Sequence, residues 1–125
     1  ENKEYIDFIK KNFEIKIIKK IAISNHHDLD QINYYNNVDY FLFDYKPLKS
    51  ELPGGNARQF NWSILKGIKL NKPWFLSGGV NESNINIIKN SVNPDGIDLS
   101  SGVEESKGIK SEIKIKNFIK KYYAK

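Results

Sequence analysis

Residues Pro73 to Asn84 have the sequence PWFLSGGVNESN, which changes character twice. Trp74 to Leu76 form a short apolar run that predicts a buried strand. The Gly78-Gly79 pair allows a tight turn and a close approach of the backbone to a ligand. Asn81 or Ser83 is placed to cap a following helix. The stretch therefore predicts a strand, a glycine turn and a helix, whose free amides suit a phosphate group, although ordinary strand-to-helix connections look the same.

Composition limits the class of protein. The chain has 125 residues, no cysteine and a formal net charge of +5, with Arg58 as its single arginine. This length fits one domain, which we predict over residues 1–125. The lysines are scattered among acidic residues, unlike the clustered arginines of nucleic-acid-binding surfaces, so we expect no nucleic-acid partner. The lack of cysteine fits a reducing compartment, and no apolar run approaches ~20 residues, so we expect a cytoplasmic protein without a membrane span.

Strands and helices alternate along the whole chain. After an amphipathic helix over residues 3–13, four strands are predicted, over residues 15–23, 38–44, 74–77 and 96–100. The apolar stripes predicted for the helices are Tyr5, Phe8, Ile9 and Phe13; Leu29, Ile32 and Tyr35; Ile85, Ile88 and Val92; and Ile115, Phe118, Ile119 and Tyr122. Strict alternation predicts an α/β fold of parallel strands with right-handed crossovers and helices on the outside.

Unusual residues follow three of the four predicted strands. Asp44 ends the second strand, Gly78-Gly79 follows the third, and Ser100-Ser101-Gly102 follows the fourth. Parallel strands point their carboxyl ends the same way, so these residues are predicted to share one rim. In a β/α barrel this rim carries the active site, and the loops after the last two strands often hold a phosphate. Side-chain alternation turns Asp44, Asp98 and Ser100 toward the lumen.

Three basic residues, which could be taken for metal ligands or catalytic groups, are expected to have structural roles only. His26 and His27 are adjacent, so on a helix they point in different directions, and we expect surface residues and no metal site. Lys19 lies within the first predicted strand, and we expect it to reach the lumen and form an ion pair with Asp98.

Four blocks of sequence carry a family resemblance. They are FLFDYK from Phe41, GGNARQFNWS from Gly54, LSGGVN from Leu76 and GIDLSSGVE from Gly96. Together they resemble the C-terminal half of phosphoribosylanthranilate isomerase, the β/α barrel enzyme of tryptophan biosynthesis, and the resemblance covers essentially all of the chain. It implies a partial TIM-barrel domain over residues 1–125, made of a preceding helix and four βα units that form the last four strands of a (β/α)8 barrel.

The resemblance also implies a reaction and a site. The reaction is an intramolecular aldose-ketose isomerisation, the Amadori rearrangement of N-(5-phosphoribosyl)anthranilate, with no metal and no cofactor. Asp44 matches the family's general acid, which protonates the ribose ring oxygen so that the furanose opens. Asp98 matches a lumen aspartate near the substrate. The residues that match the phosphate site are Gly78, Gly79, Ser100, Ser101 and Gly102.

The chain departs from the family pattern in two ways. Asn56-Ala57-Arg58-Gln59 stands where the family has a further glycine followed by a basic residue and threonine. The family's general base is a cysteine on its first strand, and an arginine in an early loop binds the anthranilate carboxylate; neither has a counterpart here. A full barrel has eight βα units and four are predicted. We therefore expect a chain that lacks the N-terminal half, is inactive alone, and pairs with that half or with a second copy.

Two other hypotheses fit the glycine turns. One is a non-catalytic half-barrel module that binds phosphate, and the other is a different phosphate-binding TIM-barrel enzyme. Both would also bind a phosphorylated small molecule. The combination of Asp44, the Gly54-Gly55 loop and Trp62 favours the isomerase among enzymes.

Overall fold

The computed structural model describes residues 1–45 and 62–124. In this part of the chain the main elements are α1 (Lys3–Asn12), β1 (Ile18–Ile23), α2 (Gln31–Tyr34), β2 (Tyr40–Tyr45), β3 (Trp74–Ser77), α3 (Ile85–Ser91), β4 (Gly96–Ile97), β5 (Glu104–Ser106), β6 (Ile109–Lys110) and α4 (Glu112–Tyr123). Short 3₁₀ turns cover His26–Asp30, Trp62–Leu65 and Ser101–Val103. The predicted Gly54-Gly55 loop lies outside the described residues.

The first four strands form one parallel sheet in the order β1-β2-β3-β4. Its register places Ile18 opposite Tyr40, Phe41 opposite Trp74, and Phe75 opposite Gly96. The predicted α/β class and the parallel strand direction are therefore confirmed. The bounds predicted for β3 from its apolar run are also those observed.

The two faces of this sheet differ in burial. One face packs against the helices, and its side chains alternate along each strand with those of the other face. The buried hydrophobic residues are Ile6, Ile21, Ile23, Val38, Phe41, Phe43, Leu65, Trp74, Leu76, Val80, Ile85, Ile88, Val92, Val103 and Phe118. The opposite, open face carries half-buried Tyr40, Leu42 and Phe75 and the exposed Lys20. Within the described residues, only one face of the sheet is thus fully covered.

Three predicted strands differ from the observed ones in their bounds, and β2 spans Tyr40–Tyr45 and not residues 38–44. β1 begins at Ile18 and not at Ile15, because the amide of Ile17 donates to Asp39 Oδ2 at 2.7 Å instead of to a neighbouring strand. β4 ends at Ile97, although the next amide, of Asp98, still donates to Leu76 O at 2.8 Å. After this hydrogen bond the chain leaves the sheet and enters the 3₁₀ turn at Ser101–Val103.

Two predicted helix stripes are wrong in part. In α1 the buried residue is Ile6, whereas Tyr5, Phe8 and Phe13 are each more than half exposed. Lys10, one turn after Ile6 on the same side of the helix, donates to Asp39 at 2.9 Å, so this side of α1 faces the sheet. In α4 Phe118 is buried, while Ile119 points outward and is 49% exposed.

The residues predicted as caps lie near the starts of the two helices that flank the rim. Asn84, and not Asn81 or Ser83, is the residue just before α3, and its side chain makes no capping bond. Asn81 Oδ1 accepts from the amides of Ser83 and Asn84 in the turn that leads into this helix. Ser111 accepts from the amide of Lys114 and caps α4, as predicted. The stripe predicted for α3 is buried, with Ile85 and Ile88 fully so. Burial of such side chains contributes roughly 1.5–3 kcal/mol each, which anchors α3 beneath the glycine turn.

A small antiparallel hairpin was not predicted. β5 and β6 pair Glu104 with Lys110 and Ser106 with Ile109. The turn between them is Lys107-Gly108, and Gly108 has a φ of 83°. A glycine at such a turn is a recognised hairpin signal, but strands this short leave almost no alternation to detect.

Candidate active site

The predicted site residues lie at one end of the sheet, where β2, β3 and the segment after β4 finish. Asp44 pairs with Ser77 in the parallel register, and Leu76 pairs with Ile97 one step below. The side chains of Asp44 and Ser77 point to the open face, because Phe43 and Leu76 occupy the buried one. Parallel strand direction thus brings segments that are far apart in sequence to a common rim, as expected.

A cavity of about 170 Å³ opens at this rim. Its lining residues are Asp44, Ser77, Gly78, Gly79, Val80, Asp98, Ser100, Ser101 and Gly102. All seven residues predicted for the site are among them. The two further lining residues are Ser77, which directly precedes the first glycine turn, and Val80, which directly follows it.

Gly78 brings the first turn against Asp44. Its φ is 86°, and a Cβ there would lie 2.8 Å from Asp44 Oδ1 and 2.7 Å from the amide nitrogen of Tyr45. Only glycine combines this backbone conformation with such a close approach. Gly79 also has a positive φ, 69°, but a Cβ there would meet no atom within 4 Å. Backbone conformation alone therefore favours glycine at position 79.

Gly102 fits the second turn closely against the first. A Cβ on Gly102 would lie 1.9 Å from the carbonyl oxygen of Val80 and 3.2 Å from Asn81 Cα. The two turns therefore touch through their backbones, and no side chain fits between them. The first internal hydrogen bond of the second turn runs from the Val103 amide to Ser100 O. The amides of Ser101 and Gly102 precede it, which is the position of free donors at the start of a helical turn.

Asp44 has a cation as its neighbour. Lys20 Nζ lies 2.5 Å from Asp44 Oδ2, and the Asp44 side chain is 16% exposed. Lys20 was not predicted as part of the site. The prediction that Lys19 reaches Asp98 is wrong, because Lys19 lies on the helix-covered face, 4.0 Å from the centre of the Tyr35 ring, and donates to Glu1 O. Lys19 shares its strand face with buried Ile21 and Ile23, a signal that the sequence contained.

Lys110 was also missed. Its Nζ donates to Ser100 O at 3.0 Å, to Ser100 Oγ at 3.3 Å and to Glu104 Oε1 at 2.6 Å. The hairpin formed by β5 and β6 places this lysine next to the rim, outside the cavity. Nothing in the local pattern of β6 indicates this contact, which joins residues ten positions apart.

Across residues 1–45 and 62–124, no group of three or more His, Cys, Asp or Glu side chains is arranged to hold a metal ion. His26 and His27 are exposed, as predicted. The same residues include no helix long and apolar enough to cross a membrane.

The sequence pattern of the N-(5'-phosphoribosyl)anthranilate isomerase family matches residues 1–121. The chain belongs to this family. The N-(5'-phosphoribosyl)anthranilate isomerase of Mesorhizobium japonicum is 41% identical over 122 residues, which are 96% of this chain and 56% of that protein. The chain thus spans little more than half the length of the curated relatives it matches.

Solved isomerases have the same fold. The phosphoribosyl anthranilate isomerase of Thermotoga maritima matches with a TM-score of 0.80 and 32% identity, over 98% of this chain and 57% of that one. A structure of the isomerase in complex with reduced 1-(o-carboxyphenylamino)-1-deoxyribulose 5-phosphate matches with a TM-score of 0.74 and 29% identity, over 98% and 55% of the two chains. In both, the parallel sheet of this chain corresponds to part of a longer protein.

Proposed function

We propose that this chain provides the acid and the phosphate site of an N-(5'-phosphoribosyl)anthranilate isomerase of tryptophan biosynthesis. The observation that carries the proposal is the cavity, in which Asp44 and two glycine-containing turns line one space. Membership of the isomerase family supplies the substrate class, a phosphorylated ribose joined to anthranilate. The reaction is an Amadori rearrangement, whose steps are proton transfers that acid-base side chains can perform.

Asp44 is the proposed general acid. In the reaction a proton is added to the ribose ring oxygen, the bond from C1 to that oxygen breaks, and a Schiff base forms. A proton then leaves C2 and the enolamine becomes the ketose. Asp44 lines the cavity with one oxygen beside Gly78 and the other beside Lys20, so a ring oxygen bound in the cavity would be within its reach.

The two turns are the proposed phosphate site. Gly78 and Gly79 contribute one turn, and Ser100, Ser101 and Gly102 the other. Backbone amides that converge on a concave space bind anions well, and the two serine hydroxyls add donors. Asp98 lines the same cavity and is proposed to contact the sugar, since carboxylates accept hydrogen bonds from hydroxyl groups.

The chain is further proposed to form the C-terminal half of a (β/α)8 barrel. The described part contains four parallel strands, and a closed barrel of this class has eight. β1 lies at one edge of the sheet and β4 at the other. Beside β1 the exposed apolar residues are Tyr5, Phe8, Phe13, Ile15 and Ile18. Apolar surface of this kind next to a free strand edge favours association with the other half-barrel or with a second copy.

The chain alone is proposed to be inactive, because the cysteine that the family resemblance gives as the base for the proton at C2 has no counterpart in this sequence. A strain that requires tryptophan because it lacks the isomerase tests this. We expect growth when the chain is produced together with the first half of the Mesorhizobium japonicum relative, and no growth with either part alone. Growth on the chain alone would overturn the half-barrel proposal, whereas failure of the pair, with the whole relative restoring growth, would argue against the isomerase.

The alternative of a non-catalytic phosphate-binding module shares the cavity but has no observation of its own in its favour. Family membership favours the isomerase. A cytoplasmic location remains a prediction from composition.

A further inference from the structure

We propose that Lys110 is a positioning residue of the anion site, which fixes the Ser100-Ser101 peptide so that the amides at the start of the second turn face the bound anion. This inference rests on the proposed phosphate site. It adds a residue that does not line the cavity and that acts through another residue.

The contacts of Lys110 converge on one residue of the rim. Two of its three acceptors belong to Ser100, the backbone oxygen at 3.0 Å and the hydroxyl at 3.3 Å. The third is Glu104 Oε1 at 2.6 Å. An ammonium group has three N–H donors and no acceptor, so these three contacts use all of them. Lys110 therefore has no donor left for an anion and is placed to act indirectly.

Peptide geometry carries the effect into the cavity. The Ser100-Ser101 peptide is trans and planar, so the amide of Ser101 points away from the carbonyl of Ser100. Lys110 and the Val103 amide both donate to that carbonyl, from the side of the hairpin and of the turn. When these donors hold the Ser100 carbonyl, the Ser101 amide points away from the hairpin. Ser101 and Gly102 line the cavity, so their amides become donors for an anion.

Glu104 keeps the lysine in place. It lies opposite Lys110 in the hairpin register, and its backbone oxygen accepts from Lys114 Nζ. The Lys110 ammonium, with the Gly108 amide, lowers the pKa of Glu104. The hairpin thus holds a matched ion pair whose cation reaches out to Ser100. The small β5-β6 sheet therefore has a function beyond connecting β4 to α4.

The test measures binding of inorganic phosphate to the full chain by equilibrium dialysis against radiolabelled orthophosphate, which is independent of the state of association. The variants are Lys110→Met, Lys110→Arg and the control Lys107→Met. The Lys107 side chain is exposed in the same hairpin and makes no hydrogen bond or ion pair within the described part of the chain. Lys107→Met therefore removes the same charge as Lys110→Met but removes no contact. Thermal unfolding of each variant gives the separate measure of stability.

We expect Lys110→Met to weaken phosphate binding about tenfold, as for loss of a charged hydrogen bond, and Lys110→Arg and Lys107→Met to change it by less than about threefold. Equal binding by Lys110→Met and the wild type would overturn the inference and leave the phosphate site intact. Absence of binding by the wild type would instead reject the site itself. If Lys110→Met does not fold, Lys110→Gln is measured in its place, and the same tenfold loss of phosphate binding is expected. If neither variant folds, Lys110 has a purely structural role and the inference is overturned.

Discussion

Lys20 and Asp44 form an ion pair across β1 and β2, with Nζ 2.5 Å from Oδ2. In the register Lys20 lies opposite Leu42 and Asp44 lies opposite Ala22, so the lysine reaches along the open face toward the rim. The pair fixes one carboxylate oxygen, while the other faces Gly78. The proposed acid therefore has a defined orientation that comes from its neighbouring strand.

This pair is expected to couple energetically. Since Lys20 is largely exposed, the coupling should be modest, about 0.5–1 kcal/mol. A double-mutant cycle with Lys20→Met and Asp44→Asn, measured by urea unfolding, gives this energy. Lys69→Met, at an exposed position of equal charge, is the control for net charge. A coupling energy of zero would mean that the contact does not orient Asp44 in solution.

The Asp44→Asn substitution is expected to lower turnover about 100- to 10,000-fold in the enzyme assembled from both halves, because an amide of the same shape does not release a proton. Substrate KM should change little, since the phosphate contacts are retained. Asp30→Asn, at an exposed position that does not line the cavity, should leave both constants unchanged. An Asp44→Asn enzyme with normal turnover would return Asp44 to a structural role.

Phosphate is expected to shift the NMR amide signals of Gly79 and Gly102 when it is titrated into the chain, because both residues line the cavity. The Gly67 amide, outside the cavity, serves as the internal reference. Unmoved Gly79 and Gly102 signals in a folded sample would reject the proposed phosphate site.

The Gly102→Ala substitution is expected to destabilise the chain by about 3 kcal/mol, because a Cβ 1.9 Å from a backbone oxygen forces the two turns apart. Gly67→Ala is the comparison without a contact: its surroundings are open, so only the cost of its positive φ of 77°, about 1 kcal/mol, is expected. Chemical unfolding compares the two variants. A loss at Gly102 no larger than at Gly67 would show that the contact with Val80 does not make glycine necessary at position 102.

Acid is expected to weaken the contact of α1 with the sheet. Hydrogen bonds from Lys10 and from the Ile17 amide lower the pKa of Asp39 from 3.8 to about 2. A carboxyl group with a lowered folded-state pKa stabilises the fold above its unfolded pKa, and that stabilisation is lost as pH falls through about 2. The difference in unfolding free energy between wild type and Asp39→Asn should therefore shrink between about pH 4 and about pH 2. Lys10→Met should flatten the same part of the profile, and a constant difference would contradict this origin.

Local signals in the sequence were sufficient for much of the site. Pro73 precedes the apolar run of β3 and Gly78 follows the strand, so both ends of β3 were predictable. Parallel strands share one rim, which is why Asp44, Asp98 and the two turns could be grouped without knowledge of contacts. The side-chain directions of Asp44 and Asp98 followed from alternation in β2 and in the segment that begins with β4.

Contacts between distant residues decided the rest. The side of α1 that faces the sheet carries Lys10, which contacts Asp39, and the same carboxylate accepts from the Ile17 amide just before β1. Neither contact leaves a periodic pattern. The positions of Lys20 and Lys110 at the rim likewise depend on partners in other elements.

The close fit of Gly102 beneath the Val80 carbonyl has a consequence for the thermodynamics of recognition. The two turns hold each other, and the first is also held by the hydrogen bonds to Asn81 Oδ1 and by the buried residues of α3, so the entropic cost of ordering both turns falls on folding. An anion at the proposed phosphate site would meet donors that are already arranged. Preorganisation of this kind leaves more of the interaction energy available as affinity and makes binding depend little on loop motion.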